Sequence, residues 1–203
     1  MDLVDAMRST PTVRYYLTDD VPDDVVYRVL DSARFAPSGG NRQGWHVVVV
    51  RDPATRDAIA KLYQACWAEY TKQITPGAAA QDFAAHYGDV PVLLVVCVEI
   101  VALARTDATL ERPSIVGGAS VYTFVQNVLL AARNEGLGGA LTTVGIAAEP
   151  ELRRLLDIPE GTAVAAMLTL GWPDPARQLT KLKRKPVEHF TSVDSFNGPG
   201  LRP

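Results

Sequence analysis

A short polar loop at residues 36–45 holds the densest group of chemically useful side chains in this sequence. It reads Ala-Pro-Ser-Gly-Gly-Asn-Arg-Gln-Gly-Trp and combines Pro37, a hydroxyl at Ser38, a flexible Gly39 and the amides of Asn41 and Gln43. Side-chain amides both donate and accept hydrogen bonds, which suits the edge of a planar heterocycle. The alternative is a plain polar connection, because Pro, Ser, Gly and Asn also favour turns for local backbone reasons.

Two basic clusters are candidate anion sites. The N-terminal cluster contains Arg8, Ser9, Thr10 and Arg14. The C-terminal cluster contains Arg177, Lys181, Lys183, Arg184 and Lys185. Guanidinium and ammonium groups, together with hydroxyl donors, are typical of phosphate sites. The alternatives are surface ion pairs with the acidic residues 19–24 for the first cluster and a solvated charge run for the second.

A third candidate is the sequence Leu-Thr-Thr-Val-Gly at residues 141–145. Thr142 and Thr143 stand next to a glycine at the end of a strand-like run, where backbone N–H and hydroxyl groups can be directed at a ligand edge. The alternative is that both are ordinary strand residues, since threonine is common in strands.

Several motifs of other enzyme classes are missing from the sequence. No GxGxxG follows a strand, and there is no GxxxxGK[ST] and no GxSxG. His46, His86 and His189 show no metal-ligand spacing with each other or with the cysteines. We therefore expect no metal and no side-chain nucleophile.

Composition indicates a soluble globular protein. The chain has 203 residues, of which 47% are hydrophobic and 21% charged, with a net charge of −3. That charge does not favour nucleic acid or an anionic membrane, and the apolar run at residues 90–98 is too short to span a bilayer. Cys66 and Cys97 are typical of small core residues, and the N-terminus lacks signal-peptide features. The expectation is a cytoplasmic protein with neither a nucleic-acid nor a membrane partner.

Helical and β-branched patterns alternate along the chain, which predicts one α+β domain over residues 1–203. Helices are predicted at 2–8, 23–35, 53–70, 113–134 and 149–156, with partial helix in 75–88. Strands are predicted at 45–50, 90–98, 140–144 and 163–170. Residues from about 186 to 203 show no periodicity and must lie on another surface or be disordered. The helix at 113–134 is apolar around much of its circumference, so both features favour a homodimer with exchanged arms.

Taken together, these segments resemble the FMN-dependent nitroreductase family. The resemblance extends over residues 1 to about 190. The matching segments, in chain order, are residues 8–14, 36–45, 114–127, 136–143 and 183–188.

The resemblance implies an α+β fold with a central mixed β-sheet flanked by helices. It also implies an intertwined homodimer with an extended C-terminal arm and FMN at the subunit interface. One subunit would hold the phosphate and pyrimidine side of the flavin with Arg8, Ser9, Thr10, Arg14, Lys183 and Arg184. The partner would contribute Pro37, Ser38, Gly39 and Asn41, with help from Gln43. Thr142 and Thr143 would approach the flavin N5.

The activity implied is hydride transfer from NADH or NADPH to nitroaromatics, quinones or similar planar acceptors by a ping-pong mechanism. The flavin carries out the redox chemistry while the protein binds it and adjusts its potential. One alternative is specialised flavin chemistry on the same fold, namely dehalogenation, dehydrogenation or flavin fragmentation. Another is a flavin-binding protein without turnover.

Overall fold

A four-stranded β-sheet forms the centre of the molecule. The computed structural model describes residues 1–177 and 183–203. The strands are β1 (Trp45–Val50), β2 (Val92–Glu99), β3 (Gly138–Thr142) and β4 (Thr162–Gly171), in the spatial order β1-β2-β4-β3.

The sheet is antiparallel throughout its four strands, whereas a mixed sheet was expected. Within the described part of the chain, parallel pairing is limited to an isolated bridge between Thr12, outside the four strands, and Gly139. Apolar runs predict that strands exist, but the direction in which two strands pair depends on how the intervening chain returns.

Six α-helices lie in the described ranges. They are α1 (Leu3–Ser9), α2 (Asp23–Ala33), α3 (Pro53–Tyr70), α4 (Ala78–Ala85), α5 (Tyr122–Asn134) and α6 (Glu149–Leu155). The bounds predicted for α3 are confirmed. Asp52 caps this helix by accepting a hydrogen bond from the Thr55 backbone N–H at 2.7 Å, and Pro53 occupies its first turn.

The helix predicted from residue 113 was wrong at its start. Residues Val116–Ser120 form a 3₁₀ turn, and α5 begins only at Tyr122. Adjacent glycines at 117 and 118 explain the break, because glycine is a poor helix former. The predicted end is confirmed, because α5 ends at Asn134. Gly136 follows with a φ of 86°, a conformation that terminates helices.

Both faces of the sheet are covered by helices. Strand β2 is buried over residues 92–98, and its side chains alternate between two apolar clusters. Helices α2 and α5 pack on one face, while α3 and α4 pack on the other. This arrangement explains why the strand sequences are continuous apolar runs rather than alternating ones.

The segment after α1 runs beside β3. Val13 N–H donates to the Gly139 carbonyl at 2.9 Å, and Leu17 N–H donates to the Trp172 carbonyl at 2.9 Å. The Tyr16 hydroxyl lies 2.8 Å from the Thr169 hydroxyl. These bonds hold Arg14 at the edge of the sheet, next to the end of β3.

Residues 103–115 form an irregular loop that is organised around one buried carboxylate. Asp107 is only 4% exposed. It accepts hydrogen bonds from Arg112 Nη1 at 2.9 Å, from the Ser114 hydroxyl at 2.7 Å and from Ile115 N–H at 2.9 Å. Because a buried charge needs such partners, Asp107 determines the path of this loop.

Replacing Asp107 by Asn is expected to lower the melting temperature at pH 7. The bonds from Ile115 and Ser114 hold the pKa of the Asp107 carboxyl well below its usual range. Its stabilising effect is therefore complete above the unfolded-state pKa of about 4 and is lost as the pH falls through the lower folded-state value. Thermal melts should show the wild type and Asp107→Asn converging in acid, with exposed Asp19→Asn as control. Equal melting temperatures at pH 7 would contradict this role.

The C-terminal residues 186–203 are mostly exposed, including Phe190 and Phe196. They contain one 3₁₀ turn, Val187–His189, and local hydrogen bonds such as Val193 N–H to the Pro199 carbonyl at 2.9 Å. The extended arm stays a prediction. Within the described ranges, no helix combines the length and apolarity needed to cross a bilayer.

Candidate functional site

The loop at residues 36–45 connects the end of α2 to β1 through an unusual backbone. Gly40, Asn41 and Gln43 all have positive φ values, of 61°, 52° and 50°. For residues other than glycine this conformation is uncommon and costs energy, so it persists only where the surroundings impose it. Such strain is concentrated at binding sites, which favours the functional interpretation of this loop over a plain connection.

Internal hydrogen bonds shape the same loop. The Ser38 hydroxyl accepts from Gln43 N–H at 3.0 Å, and the Gln43 side-chain amide donates to the Asn41 carbonyl at 3.3 Å. Asn41 is exposed, so its own side chain is accessible to a ligand. Pro37 lines a broad, largely apolar groove of about 970 Å³ that also borders Tyr122.

A second cavity, of about 330 Å³, brings together three of the residues singled out in the sequence. Arg14, Thr142 and Thr143 all line it. Thr142 ends β3, and its hydroxyl accepts from Val144 N–H at 3.3 Å and lies 3.3 Å from the Tyr63 hydroxyl. The parallel bridge of Thr12 to Gly139 places Arg14 beside this strand end.

Aromatic side chains form a wall of this cavity that the sequence reasoning missed. Tyr63, Trp67 and Tyr70 of α3 and Phe83 of α4 line it. Tyr63 stacks on Tyr87 with ring centroids 3.8 Å apart. Tyr63, Trp67 and Tyr70 have the i, i+4, i+7 spacing that places side chains on one face of a helix. From the sequence, that spacing indicated only that the face packs in the core. Such walls suit a flat ligand.

Burial raises the pKa of the Tyr63 phenol. Tyr63 is therefore a neutral phenol at physiological pH and can donate a hydrogen bond to Thr142 or to a ligand. Arg14 is the one charged side chain among the described residues that line this cavity. The cavity thus offers a cation, the hydroxyls of two threonines and two tyrosines, and an aromatic face.

The other predicted phosphate ligands do not line this cavity. Arg8 is exposed at the end of α1, next to a half-buried Ser9, and the Thr10 hydroxyl donates to the Ala6 carbonyl at 2.6 Å. Lys183 and Arg184 are exposed, and Arg184 donates to the Lys183 carbonyl at 3.0 Å. Lys181 lies outside the described residues. The roles of these residues stay predictions.

Pro37 of the polar loop and Arg14 line different cavities. The groove beside Pro37 and the cavity beside Arg14 have no lining residue in common. A single protomer therefore does not bring residues 36–45 to the Arg14 cavity.

Sequence comparison identifies relatives over most of the chain. The model of the nitroreductase family matches residues 7–172. The iodotyrosine dehalogenase 1 homolog of Caenorhabditis elegans is 30% identical over 196 residues, which cover 92% of this chain. This chain spans only 59% of the length of that relative. An NADH dehydrogenase of Thermus thermophilus is 31% identical over 182 residues, covering 85% of this chain and 87% of the relative.

Solved structures confirm the fold. The crystal structure of oxidized iodotyrosine deiodinase, bound to FMN and 3-iodo-L-tyrosine, superimposes with a TM-score of 0.72 at 22% identity. The match covers 94% of this chain and all of that one. With a family match over most of its length and the same α+β architecture, the chain belongs to the nitroreductase family.

Proposed function

We propose that the protein is an FMN-dependent oxidoreductase that uses NADH or NADPH to reduce planar acceptors such as nitroaromatics and quinones. The observation that carries this proposal is the cavity in which Arg14, Thr142 and Thr143 meet beside an aromatic wall. FMN, when bound, supplies the hydride chemistry, which needs no nucleophile from the protein.

The residues of this cavity fit a flavin. A flat heterocycle gains contact area against the rings of Trp67 and Tyr70, which are more exposed than that of Tyr63. The guanidinium of Arg14, the one charged group among the described residues lining this cavity, would stabilise negative charge on the pyrimidine edge of the flavin. The Thr142 and Thr143 backbone and hydroxyl groups supply the hydrogen bonds proposed for the N5 side.

The phosphate is proposed to bind Arg8, Ser9 and Thr10, completed by the C-terminal Lys183 and Arg184. Arg8 and Ser9 lie at the end of α1, shortly before the segment that carries Arg14. Guanidinium, ammonium and hydroxyl groups together provide the charge-assisted hydrogen bonds that a phosphate requires.

A homodimer completes the site in this proposal. None of the loop residues Pro37, Ser38, Gly39, Asn41 and Gln43 lines the Arg14 cavity within one protomer, and in this proposal a second copy supplies them. The apolar groove of about 970 Å³ and the exposed rings of Phe190 and Phe196 provide surface for such an association. Sedimentation of the purified protein as a monomer at micromolar concentration would contradict it.

Dehalogenation is the second candidate activity, favoured by the identity with the C. elegans iodotyrosine dehalogenase homolog. An iodotyrosine substrate carries an ammonium group, which requires a carboxylate or carbonyl partner. The described lining of the Arg14 cavity contains no carboxylate that could hold this group. Assays with 3-iodotyrosine and with a quinone under the same conditions separate the two.

Purified protein is expected to be yellow, or to turn yellow on addition of FMN, and NADH or NADPH should bleach it under anaerobic conditions. A nitroaromatic or quinone should then restore the colour. Protein that stays colourless with added FMN would overturn the proposal. Bleaching without reoxidation by nitro compounds, quinones and enones would indicate a flavin-binding protein without turnover.

A further inference from the structure

The motif at residues 114–127 was part of the family resemblance, yet the proposed function gives none of its side chains a role. One of them, Ser120, is a polar residue that is only 6% exposed. It ends the 3₁₀ turn Val116–Ser120 that precedes α5. A buried hydroxyl needs a hydrogen-bond partner, so the partner of Ser120 indicates what it does.

The partner lies in the polar loop. Gly39 N–H donates to the Ser120 hydroxyl at 3.0 Å, across 81 positions of sequence. A Cβ atom at residue 39 would lie 3.4 Å from that oxygen, so the loop backbone packs directly against the Ser120 side chain. The bond attaches the middle of the loop to the start of α5.

A second hydroxyl holds the beginning of the same loop. The hydroxyl of Thr123, one turn further along, lies within donating distance of two carbonyl oxygens. They are those of Pro37, at 3.0 Å, and of Ala119, at 3.1 Å. Together the two hydroxyls contact the backbone immediately before the three residues with positive φ. Strained backbone of this kind persists only when neighbouring groups hold it.

We propose that Ser120 and Thr123 are positioning residues that hold the loop at residues 36–45 in its FMN-binding conformation. This inference rests on the proposed role of that loop in binding FMN. Neither hydroxyl has to touch the flavin. Each restricts the loop before the cofactor arrives, so that less conformational freedom is lost on binding.

The test compares Ser120→Ala with the wild type in two measurements. FMN affinity, measured by quenching of flavin fluorescence, should fall about fivefold, the effect of one lost hydrogen bond between neutral groups. Hydrogen exchange of the Gly39 amide, measured by NMR on protein without FMN, should become faster because its acceptor is gone. Thr55→Ala removes a hydroxyl bond to Asp52 just beyond the opposite end of β1 and is the matched control.

A conservative pair at residue 123 separates positioning from general loss of stability. Thr123→Val removes the hydroxyl and should weaken FMN binding, while Thr123→Ser keeps it and should restore wild-type affinity. Because this pair does not involve Ser120, it remains informative if Ser120→Ala fails to fold.

The outcomes distinguish this inference from the function on which it rests. Wild-type protein that fails to bind FMN overturns the proposed function. Wild-type protein that binds FMN, with Ser120→Ala and Thr123→Val binding it equally well, overturns only the positioning role. Faster Gly39 exchange without any loss of affinity would also overturn that role.

Discussion

Replacing Arg14 by Gln is expected to weaken FMN binding by about 10- to 100-fold, since charge-assisted hydrogen bonds contribute about 1.5–3 kcal/mol. Arg14 is the one cation among the described residues lining the cavity that also contains Thr142 and Thr143. Glutamine retains a donor but removes the charge that favours an electron-rich flavin edge. Equilibrium titration with FMN at constant ionic strength measures the effect.

Two further variants make this result specific. Arg14→Lys keeps the positive charge without the planar fork, so it should recover part of the affinity. Arg154→Gln removes an exposed guanidinium that pairs with Glu151 on α6 at 3.1 Å, and it should bind FMN as the wild type does. If Arg14→Gln binds FMN within twofold of the wild type, the proposed site is in the wrong place.

Replacing Gly138 by Ala is expected to reduce the free energy of unfolding by about 3 kcal/mol, at the upper end of the usual cost of overpacking. A Cβ atom at this position in β3 would lie 2.5, 2.6 and 2.8 Å from Val13 Cγ2, Cβ and Cγ1. Since one of these atoms is the Val13 Cβ itself, no rotation of that side chain relieves the clash. Val13 is 2% exposed, and its N–H is bonded to Gly139, so the whole segment would have to move.

The same displacement would move Arg14, so Gly138→Ala should also lose FMN affinity. Urea unfolding of the protein without FMN measures the stability change, and a flavin titration measures the second effect. Gly77→Ala is the matched control, because a Cβ there meets nothing within 4 Å. Its cost should stay below about 1 kcal/mol, the scale of an altered helix N-cap. Similar stabilities of the two variants would contradict the packing argument.

Local chemistry explains which elements were predictable. The bounds of α3 follow from Asp52 and Pro53 at its start and from its helical apolar spacing, all of which act within a few residues. The strand β1 follows from a continuous β-branched run. The start of α5 was misjudged because its apolar pattern extends back over the glycines at 117 and 118, which form a 3₁₀ turn instead.

Some residues of the candidate site could be predicted from the sequence, and others could not. Residue type alone pointed to the polar loop, to Arg14 and to Thr142 with Thr143. The aromatic wall of Tyr63 and Phe83 and the hydroxyl of Ser120 carried no such mark, because buried aromatic residues and small polar residues occur throughout protein cores.

The amino-acid sequence by itself determined most of the helices and strands, the family and the kinds of groups available for binding, since each depends on short-range patterns. Only the tertiary structure decided that Arg14 and Thr142 line one cavity, through the bridge of Thr12 to Gly139, and that Ser120 accepts a hydrogen bond from Gly39. Those contacts join segments far apart in the chain. They form because burying both faces of one sheet leaves few ways to arrange the connecting backbone.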